Sequence, residues 1–369
     1  MRAGQHLKGL CPFHAEKTPS FTVSPSRQMF HCFGCGVGGN VFTFIMKIEG
    51  TAFPDAVREL GRRTGIPVPL VTGGSSGPQA ALRERLERLN DAAGAYFHRT
   101  LVDSDAGRVA REYLAHRGIT PATIEAFRIG WAPPAWDGLL RALAPEGFTV
   151  EELERAGLVV PKDPNARRAA TASSHYDRFR ARVMFPIGDL SRRTIGFGGR
   201  VLDDGVPKYL NSPETPLFSK GRALFALDRA REPAGRANTV LIVEGYFDAI
   251  ALHQAGIANA VATLGTALTP DHIRAMRRFA SQVVLLFDPD AAGVRAAIRT
   301  LDLFADSGMS VRVVSLPDGA DPDTFVRTGG PDSFARLVEQ ATTLLDFAVE
   351  HSLQSAASGG IEDRIRSVD

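Results

Sequence analysis

Seven carboxylates set at the ends of apolar runs are the side chains of this sequence best placed to do chemistry. Glu244 closes the run TVLIVEG, and Asp248 follows four residues on. Asp288 and Asp290 close SQVVLLFD as FDPD, and Asp318, Asp321 and Asp323 follow VRVVSLP as PDGADPD. One Asp-Pro-Asp alone reads most simply as a polar turn, because Asp side chains hydrogen-bond their own backbone. Three such groups in order read differently. Carboxylates gathered at neighbouring strand ends repel one another unless cations lie among them. Oxygen-only donors suit Mg²⁺ or Mn²⁺, ions that hold substrate phosphates in phosphoryl and nucleotidyl transfer.

A second constellation lies near the N-terminus. The stretch CPFHAEKTPSFTVSPSRQMFHCFGC, residues 11–35, contains all three cysteines of the 369-residue chain. Cys11-x-x-His14 and Cys32-x-x-Cys35 each form a two-ligand knuckle, and together they supply the four ligands of a tetrahedral Zn²⁺. His31 competes with His14, but it directly precedes Cys32 and would break the knuckle, so His14 is the expected ligand. Four protein ligands close the site, which makes one structural Zn²⁺ the expectation. FTVSPSRQMFH alternates around a Ser-Pro-Ser turn and is expected to be the hairpin that joins the knuckles. Phe13, Phe21, Phe30 and Phe33 are too few for a core, so metal binding is expected to supply the missing folding energy, ~10 kcal/mol or more.

A third group is cationic. Arg178, Arg180 and Arg182 alternate through YDRFRARV, and in a strand all three would share one face. Arg200, Lys208 and Lys220 follow in Gly- and Pro-flanked segments, with Tyr209 and Asn211 interleaved. Cations beside an aromatic platform suit single-stranded nucleic acid and incoming nucleotides.

These groups need elements to position them. From 238 onward strands alternate with helices: TVLIVEG, YFDAIALHQAG, ANAVATLG, TPDHIRAMRRF, SQVVLLFD, AAGVRAAIRTLDLFADSG and VRVVSLP. That order predicts a parallel sheet covered on both faces, with functional groups at the carboxyl ends of its strands. Residues 80–157 read as helical, with Thr120-Pro121 as cap and first residue and Thr149-x-x-Glu152 as a capping box. From about 176 short strands and turns take over, in RVMFPIGDL, TIGFGGRVL and PKYLNS. Residues 40–63 read as two short helices capped by Asn40. VTGGSSGPQ, residues 71–79, reads as a flexible tether.

The fold class expected is α/β, in five segments. These are a zinc-ribbon module over 1–70, the tether over 71–79, a mixed α+β basic subdomain over 80–236, the parallel α/β sheet over 237–330 and the start of a helical subdomain over 331–369. Charge divides likewise. Residues 155–231 hold fifteen Lys/Arg against seven Asp/Glu, a net of +8, and 232–350 hold nine Arg against fifteen Asp/Glu, a net of −6. A basic block beside an acidic one suggests a polyanion surface next to a metal site. No apolar run reaches the ~18 residues of a membrane span. MRAGQHLKGL lacks a signal-peptide core, so a cytoplasmic chain is expected.

GLCPFHAEKTPSF with HCFGCGVGGN resembles the zinc module of bacterial replicative primases. YDRFRARVMFPI, IGFGGRVL, PKYLNSPET and SKGRALFAL are similar to the primase-specific part of their RNA polymerase core, and VEGYFDAIAL, LGTALT, FDPDAAG and LPDGADPDT to its TOPRIM fold. The resemblance runs in order from about residue 8 to 350. It implies a DNA-templated RNA polymerase that starts short RNA primers de novo. Glu244 would be the central acidic residue, orienting the metals or moving a proton. Asp288, Asp290, Asp321 and Asp323 would hold two or more divalent ions, with Asp248 in support and Asp318 outside the set. Arg178, Arg180, Arg182, Arg200, Lys208, Tyr209, Asn211 and Lys220 would line the groove for template and nucleotides.

Implied partners are single-stranded DNA, NTPs and the RNA–DNA hybrid product. A replicative helicase would bind a region beyond this chain, and the resemblance implies a monomer working at the replisome. Primases extend further at both ends, so this chain reads as a segment of a longer protein. Pro289 stands where primases often have Gly, which removes one backbone N–H from the metal loop. A topoisomerase-like reading needs a nucleophilic Tyr that none of the five tyrosines matches. A purely DNA-binding zinc ribbon leaves the ordered carboxylates without a purpose.

Overall fold

A computed structural model of the chain describes residues 2–3, 6–14, 16–49, 53–66, 78–163, 171–203, 205–287, 300, 303–304, 307–317, 320–347 and 349. The chain divides into two compact units, Met1–Ser76 and Gly77–Asp369.

In the first unit five short strands pair antiparallel in chain order: β1 (Arg2–Ala3), β2 (His6–Gly9), β3 (Phe21–Ser24), β4 (Met29–Cys32) and β5 (Gly38–Asn40). β3 and β4 form the expected hairpin, with Phe21 opposite Cys32 and Ser24 opposite Met29. Period-two alternation turns Phe30 and Cys32 inward and leaves Met29 and His31 outside. Phe13, Phe21, Phe30 and Phe44 pack with ring centroids 5.3–6.0 Å apart. Helices α1 (Val41–Glu49) and α2 (Phe53–Thr64) follow. Asn40 Oδ1 accepts from Thr43 N at 3.0 Å, the cap its residue type favours.

The second unit opens on α3 (Pro78–Asp103), whose Leu86, Leu89, Ala93, Phe97 and Leu101 form one buried stripe. α4 (Arg108–His116) and α5 (Pro121–Phe127) follow, then β6 (Gly130–Ala132), α6 (Gly138–Leu143), α7 (Val150–Arg155), β7 (Val159–Pro161) and β8 (His175–Asp177). β6 corrects the all-helical expectation for 80–157. It is fully buried at one edge of a four-stranded sheet, β11-β10-β9-β6, made with β9 (Arg182–Gly188), β10 (Thr194–Val201) and β11 (Tyr209–Asn211). Three residues are too short a run to show any period in sequence. The place is fixed by contact: a Cβ on Gly130 would come 2.5 Å from the Phe97 Cβ.

α8 (Leu227–Ala237) leads into the expected α/β pattern: β12 (Thr239–Val243), α9 (Tyr246–Gln254), β13 (Ala260–Ala262), α10 (Pro270–Arg277), β14 (Gln282–Phe287), β15 (Ser310–Ser315), α11 (Pro322–Glu339) and β16 (Thr342–Thr343). Sheet order is β13-β12-β14-β15-β16, parallel through β15, with β16 antiparallel at the edge. Helical geometry breaks inside α11 at Gly330, which has φ 75° and ψ 169°. Most of the helix expected over AAGVRAAIRTLDLFADSG and of the tether expected over 71–79 lies outside the described residues; the last two tether residues, Pro78 and Gln79, instead open α3.

One continuous core joins the two larger sheets of this unit. Phe185 of β9 stacks on Tyr246 of α9 with centroids 4.8 Å apart and planes at 10°, and Phe247 and Phe225 meet the same pair edge-on. Gly198 of β10 makes room for Tyr246, since a Cβ there would land on the tyrosine ring. No described helix is long and apolar enough to cross a membrane.

Candidate functional site

Each described acidic side chain inherits its place from a strand end or helix start. β12 stops at Val243, which leaves Glu244 exposed immediately after it. Asp248, in the first turn of α9, accepts Gly245 N at 3.0 Å through Oδ2. Its Oδ1 lies 3.4 Å from Asp323 N, so one carboxylate ties the starts of α9 and α11 together. Asp321 caps α11, accepting Thr324 N at 2.7 Å. Asp323 is only 4% exposed. Burial raises its pKa, the charge of Asp321 adds to the rise, and Arg327, Arg117 and Arg200 oppose it. Asp288, Asp290 and Asp318 lie outside the described residues.

Opposite these carboxylates stands a wall of arginine and tyrosine. Arg117, just past the end of α4, pairs with Asp323 at 3.3 Å, and its guanidinium lies 4.6 Å over Phe247 and 5.4 Å from the centre of Tyr113. Sequence reasoning missed Arg117 because an Arg-Gly after a helix carries no signature of its role. Arg200 on β10 donates from Nη1 to Tyr209 Oη at 2.7 Å, and its buried Nε has no hydrogen-bond partner among the described residues. Burial raises the Tyr209 pKa, so its ring is a neutral platform. Asn211 accepts Tyr246 Oη–H at 2.7 Å and donates to the Leu264 carbonyl at 2.7 Å. Arg200, Tyr209 and Asn211 thus come together with the acidic strand ends on the shared core.

Arg178, Arg180 and Arg182 do not share one strand, which corrects the alternation expected for them. β8 ends at Asp177, whose Oδ2 and Oδ1 accept the N–H groups of Leu139 and Leu140 at 2.7 and 3.2 Å, and Ala181 turns the chain at φ 50° before β9 begins. Arg182 is 7% exposed and donates to the carbonyls of Gly199 and Lys208 at 3.4 Å each. Arg180 lies 4.2 Å over Trp136 and 4.9 Å over Tyr176, and Trp136 is 63% exposed. Neither aromatic was singled out from sequence, although a Trp in the Pro-rich APPAW turn has little else to pack on. The buried Nε of Arg178 also lacks a partner among the described residues. Lys208 is exposed; Lys220 is half-buried, its N–H donating to Glu214 Oε1 at 2.8 Å and its carbonyl accepting His272 Nε2 at 3.0 Å.

In the first unit, ligand atoms of Cys11, His14, Cys32 and Cys35 all lie within 4.8 Å of one another. Cys11 Sγ and Cys35 Sγ are 3.8 Å apart, and His14 Nδ1 is 3.8 Å from Cys32 Sγ. Metal–sulfur bonds of about 2.3 Å give a tetrahedral S···S edge of about 3.8 Å, so the donor set fits such an ion. Burial pushes the Cys32 thiol up, and the backbone N–H groups of Cys35 and Gly34 draw it down, the net being a thiol held below its ordinary pKa. His31 is exposed and packs edge-on against Phe33 at 4.7 Å, away from the tetrad.

Three family profiles match the chain: the CHC2 zinc finger over residues 1–75, the DNA primase catalytic core N-terminal domain over 96–231, and a Toprim-like domain over 241–326. The DNA primase of Clostridium acetobutylicum is 42% identical over 367 residues, covering 100% of this chain and 59% of that protein. That of Halalkalibacterium halodurans is 42% identical over 351 residues, covering 95% and 57%. The chain thus spans less than two thirds of these relatives' length. Among solved structures, the RNA polymerase domain of Mycobacterium tuberculosis primase DnaG superposes with TM-score 0.69 at 34% identity, covering 78% of this chain and 91% of that one. A DnaG primase catalytic domain bound to ssDNA gives TM-score 0.66 at 40% identity, covering 78% and 88%. The zinc-binding and RNA polymerase domains of Aquifex aeolicus primase match 100% of this chain and 85% of that one, with TM-score 0.65 and 33% identity.

Proposed function

Since the chain belongs to the DNA primase family, we propose that it is a DNA-templated RNA polymerase that starts short RNA primers de novo on single-stranded DNA. The 3′ hydroxyl of one nucleoside triphosphate attacks the α-phosphorus of a second, and pyrophosphate leaves. The observation that carries this reading is the meeting of two unlike walls on one core. Asp323 joins the acidic strand ends through Asp248 and the arginine–tyrosine wall through Arg117.

Glu244, Asp288 and Asp290 are the catalytic carboxylates of this reading, and Asp248, Asp321 and Asp323 complete an oxygen-only donor set of the kind Mg²⁺ or Mn²⁺ takes. Two or more such ions, bound there, would neutralise the triphosphate and activate the attacking hydroxyl. The Glu244 carboxylate receives the hydroxyl proton. Arg117 opposes the rise that burial gives the Asp323 carboxyl. The guanidinium of Arg200, whose Nε has no partner among the described residues, would take a triphosphate oxygen, and Tyr209 and Asn211 shape the nucleotide subsite. Arg178, Arg180, Lys208 and Lys220 take phosphates of the template or of the RNA–DNA hybrid, with Trp136 as a stacking surface. Arg182 acts from beneath, holding the Lys208 carbonyl. Cys11, His14, Cys32 and Cys35 hold one structural Zn²⁺.

The segment 1–70 is the zinc-ribbon module, 80–236 the basic subdomain and 237–330 the catalytic Toprim subdomain, with 71–79 as tether and 331–369 opening a helical subdomain. The protein acts as a monomer in the cytoplasm at the nucleoid, and a replicative helicase binds outside this chain.

Primer synthesis on single-stranded DNA, with labelled NTPs and Mg²⁺ or Mn²⁺, tests the reading. Wild type should make short RNA, while Asp288→Ala and Glu244→Gln make none. A zinc-loaded, folded wild type that binds single-stranded DNA but incorporates no NTP would sink the proposal.

A further inference from the structure

The four ligands of the first unit leave one carboxylate unexplained. Glu16 lies two residues past His14, and its side chain is 10% exposed. Three donors converge on it, and His14 Nε2 stands beside them. Oε1 accepts the N–H of Cys11 at 2.7 Å and of Ser20 at 3.0 Å, while Oε2 accepts the Ser20 hydroxyl and stands 3.3 Å from His14 Nε2. The other ring nitrogen, Nδ1, faces Cys32 Sγ at 3.8 Å. A neutral imidazole has one N–H and one lone pair, and the partner of one nitrogen decides the state of the other. A carboxylate at Nε2 takes a proton there and leaves the lone pair on Nδ1, aimed at the thiolates.

We propose that Glu16 is the positioning residue of this metal site. It holds His14 in the Nε2–H form so that Nδ1 is the ligand, and it sets how tightly the ion is kept. The inference rests on the zinc reading above and deepens it.

Two further contacts restrict the ring. A Cβ on Gly34 would come 2.7 Å from His14 Nε2 and 2.8 Å from Ser20 Oγ, so the backbone closes over the Nε2 edge where a larger residue would wedge the ring from Glu16. Ser20 Oγ also lies 3.1 Å from Cys32 Sγ, which links Glu16 to a second ligand. One carboxylate therefore touches both halves of the tetrad: the Cys11–His14 knuckle directly, and Cys32 through Ser20. Outer partners of this kind are typically worth 10–100-fold in metal affinity.

The test uses the full chain with ¹⁵N-labelled histidine, loaded with Zn²⁺. Long-range ¹H–¹⁵N spectra identify the metal-bound ring nitrogen of His14, assigned with His14→Cys, and competition with a chromophoric chelator gives zinc affinity. Wild type should show Nδ1 bound and Nε2 protonated. Glu16→Gln keeps an acceptor for the Cys11 and Ser20 N–H groups but turns an amide N–H towards the ring, so affinity should fall about 10–100-fold and the single ring signature be lost. Ser20→Ala should leave the His14 signature in place, which separates ring orientation from general loosening of the knuckle. Zinc bound through Nε2 in wild type, or a Glu16→Gln variant within about twofold of wild-type affinity with the same signature, would overturn the inference alone. A wild type that binds no zinc would overturn it together with the zinc reading.

Discussion

Arg117 and Asp323 are separated by 206 residues of sequence and by 3.3 Å in space. Removing the guanidinium strands a buried carboxylate, and groups left so typically cost ~1–3 kcal/mol. Arg117→Ala should lower stability by about that much and reduce primer synthesis on the order of tenfold or more; a urea titration and a primer assay on the same sample would read both. The pair also marks where sequence reading stops. Glu244, Asp248, Asp321 and Asp323 are legible because each sits at a strand end or in the first turn of a helix that local pattern defines. Arg117 was not, since only the folded chain brings it to them. Lys208 and Trp136 separate two ways of holding a single strand. Lys208→Ala should make the salt dependence of DNA binding shallower, by about 0.7 in the log–log slope if that lysine neutralises one phosphate. Trp136→Ala should instead leave the slope alone and weaken binding by about 1–3 kcal/mol per unstacked base. Equal slopes for Lys208→Ala and wild type would take that lysine out of the groove.

At the level of elements, local signals were read well and crossings between elements were not. The caps at Asn40, Thr120 and Thr149 are self-contained hydrogen-bond motifs, and each appears where the sequence places it. β6 and the turn at 178–181 depend on what lies opposite them. Gly130 must face Phe97, and Asp177 leaves its strand to cap α6. Burial raises that Asp177 carboxyl from 3.8 to about 6, against the pull of two backbone N–H groups. An acid with a higher pKa in the folded state binds protons preferentially there, so its contribution is most favourable below pH ~4, declines towards ~6 and is flat above. The urea midpoint of wild type relative to Asp177→Asn should follow that curve; a difference independent of pH would show the carboxyl to titrate normally. Gly198 is a second such crossing. Gly198→Ala pushes a methyl into Tyr246, between β10 and α9, and overpacking of this sort costs ~1–3 kcal/mol. Denaturation monitored by tyrosine fluorescence should detect it, whereas Gly256→Ala, which meets no atom within 4 Å, should report only the cost of its own φ of 89°.

The two units of the molecule hold themselves together by different means. Among the described residues of Met1–Ser76 the main buried cluster is small, Cys11, Phe21, Phe30 and Cys32 with Phe13, Val23, Val37 and Phe44 against it, so its fold leans on the ion its ligands take. Gly77–Asp369 buries far larger apolar clusters. Zinc chelation should therefore open the first unit to protease while leaving the main thermal transition of the second near its original temperature; a single transition that shifts as a whole would contradict this. That second core runs without a break from α3 through the basic sheet to the Toprim strands, with the rings of Phe185 and Tyr246 at its centre. Its consequence concerns inheritance. The basic sheet and the Toprim strands cannot be exchanged piecemeal between relatives, because a new partner would have to fit the same stacked rings. The border near residue 76, by contrast, is where a chimera can be cut.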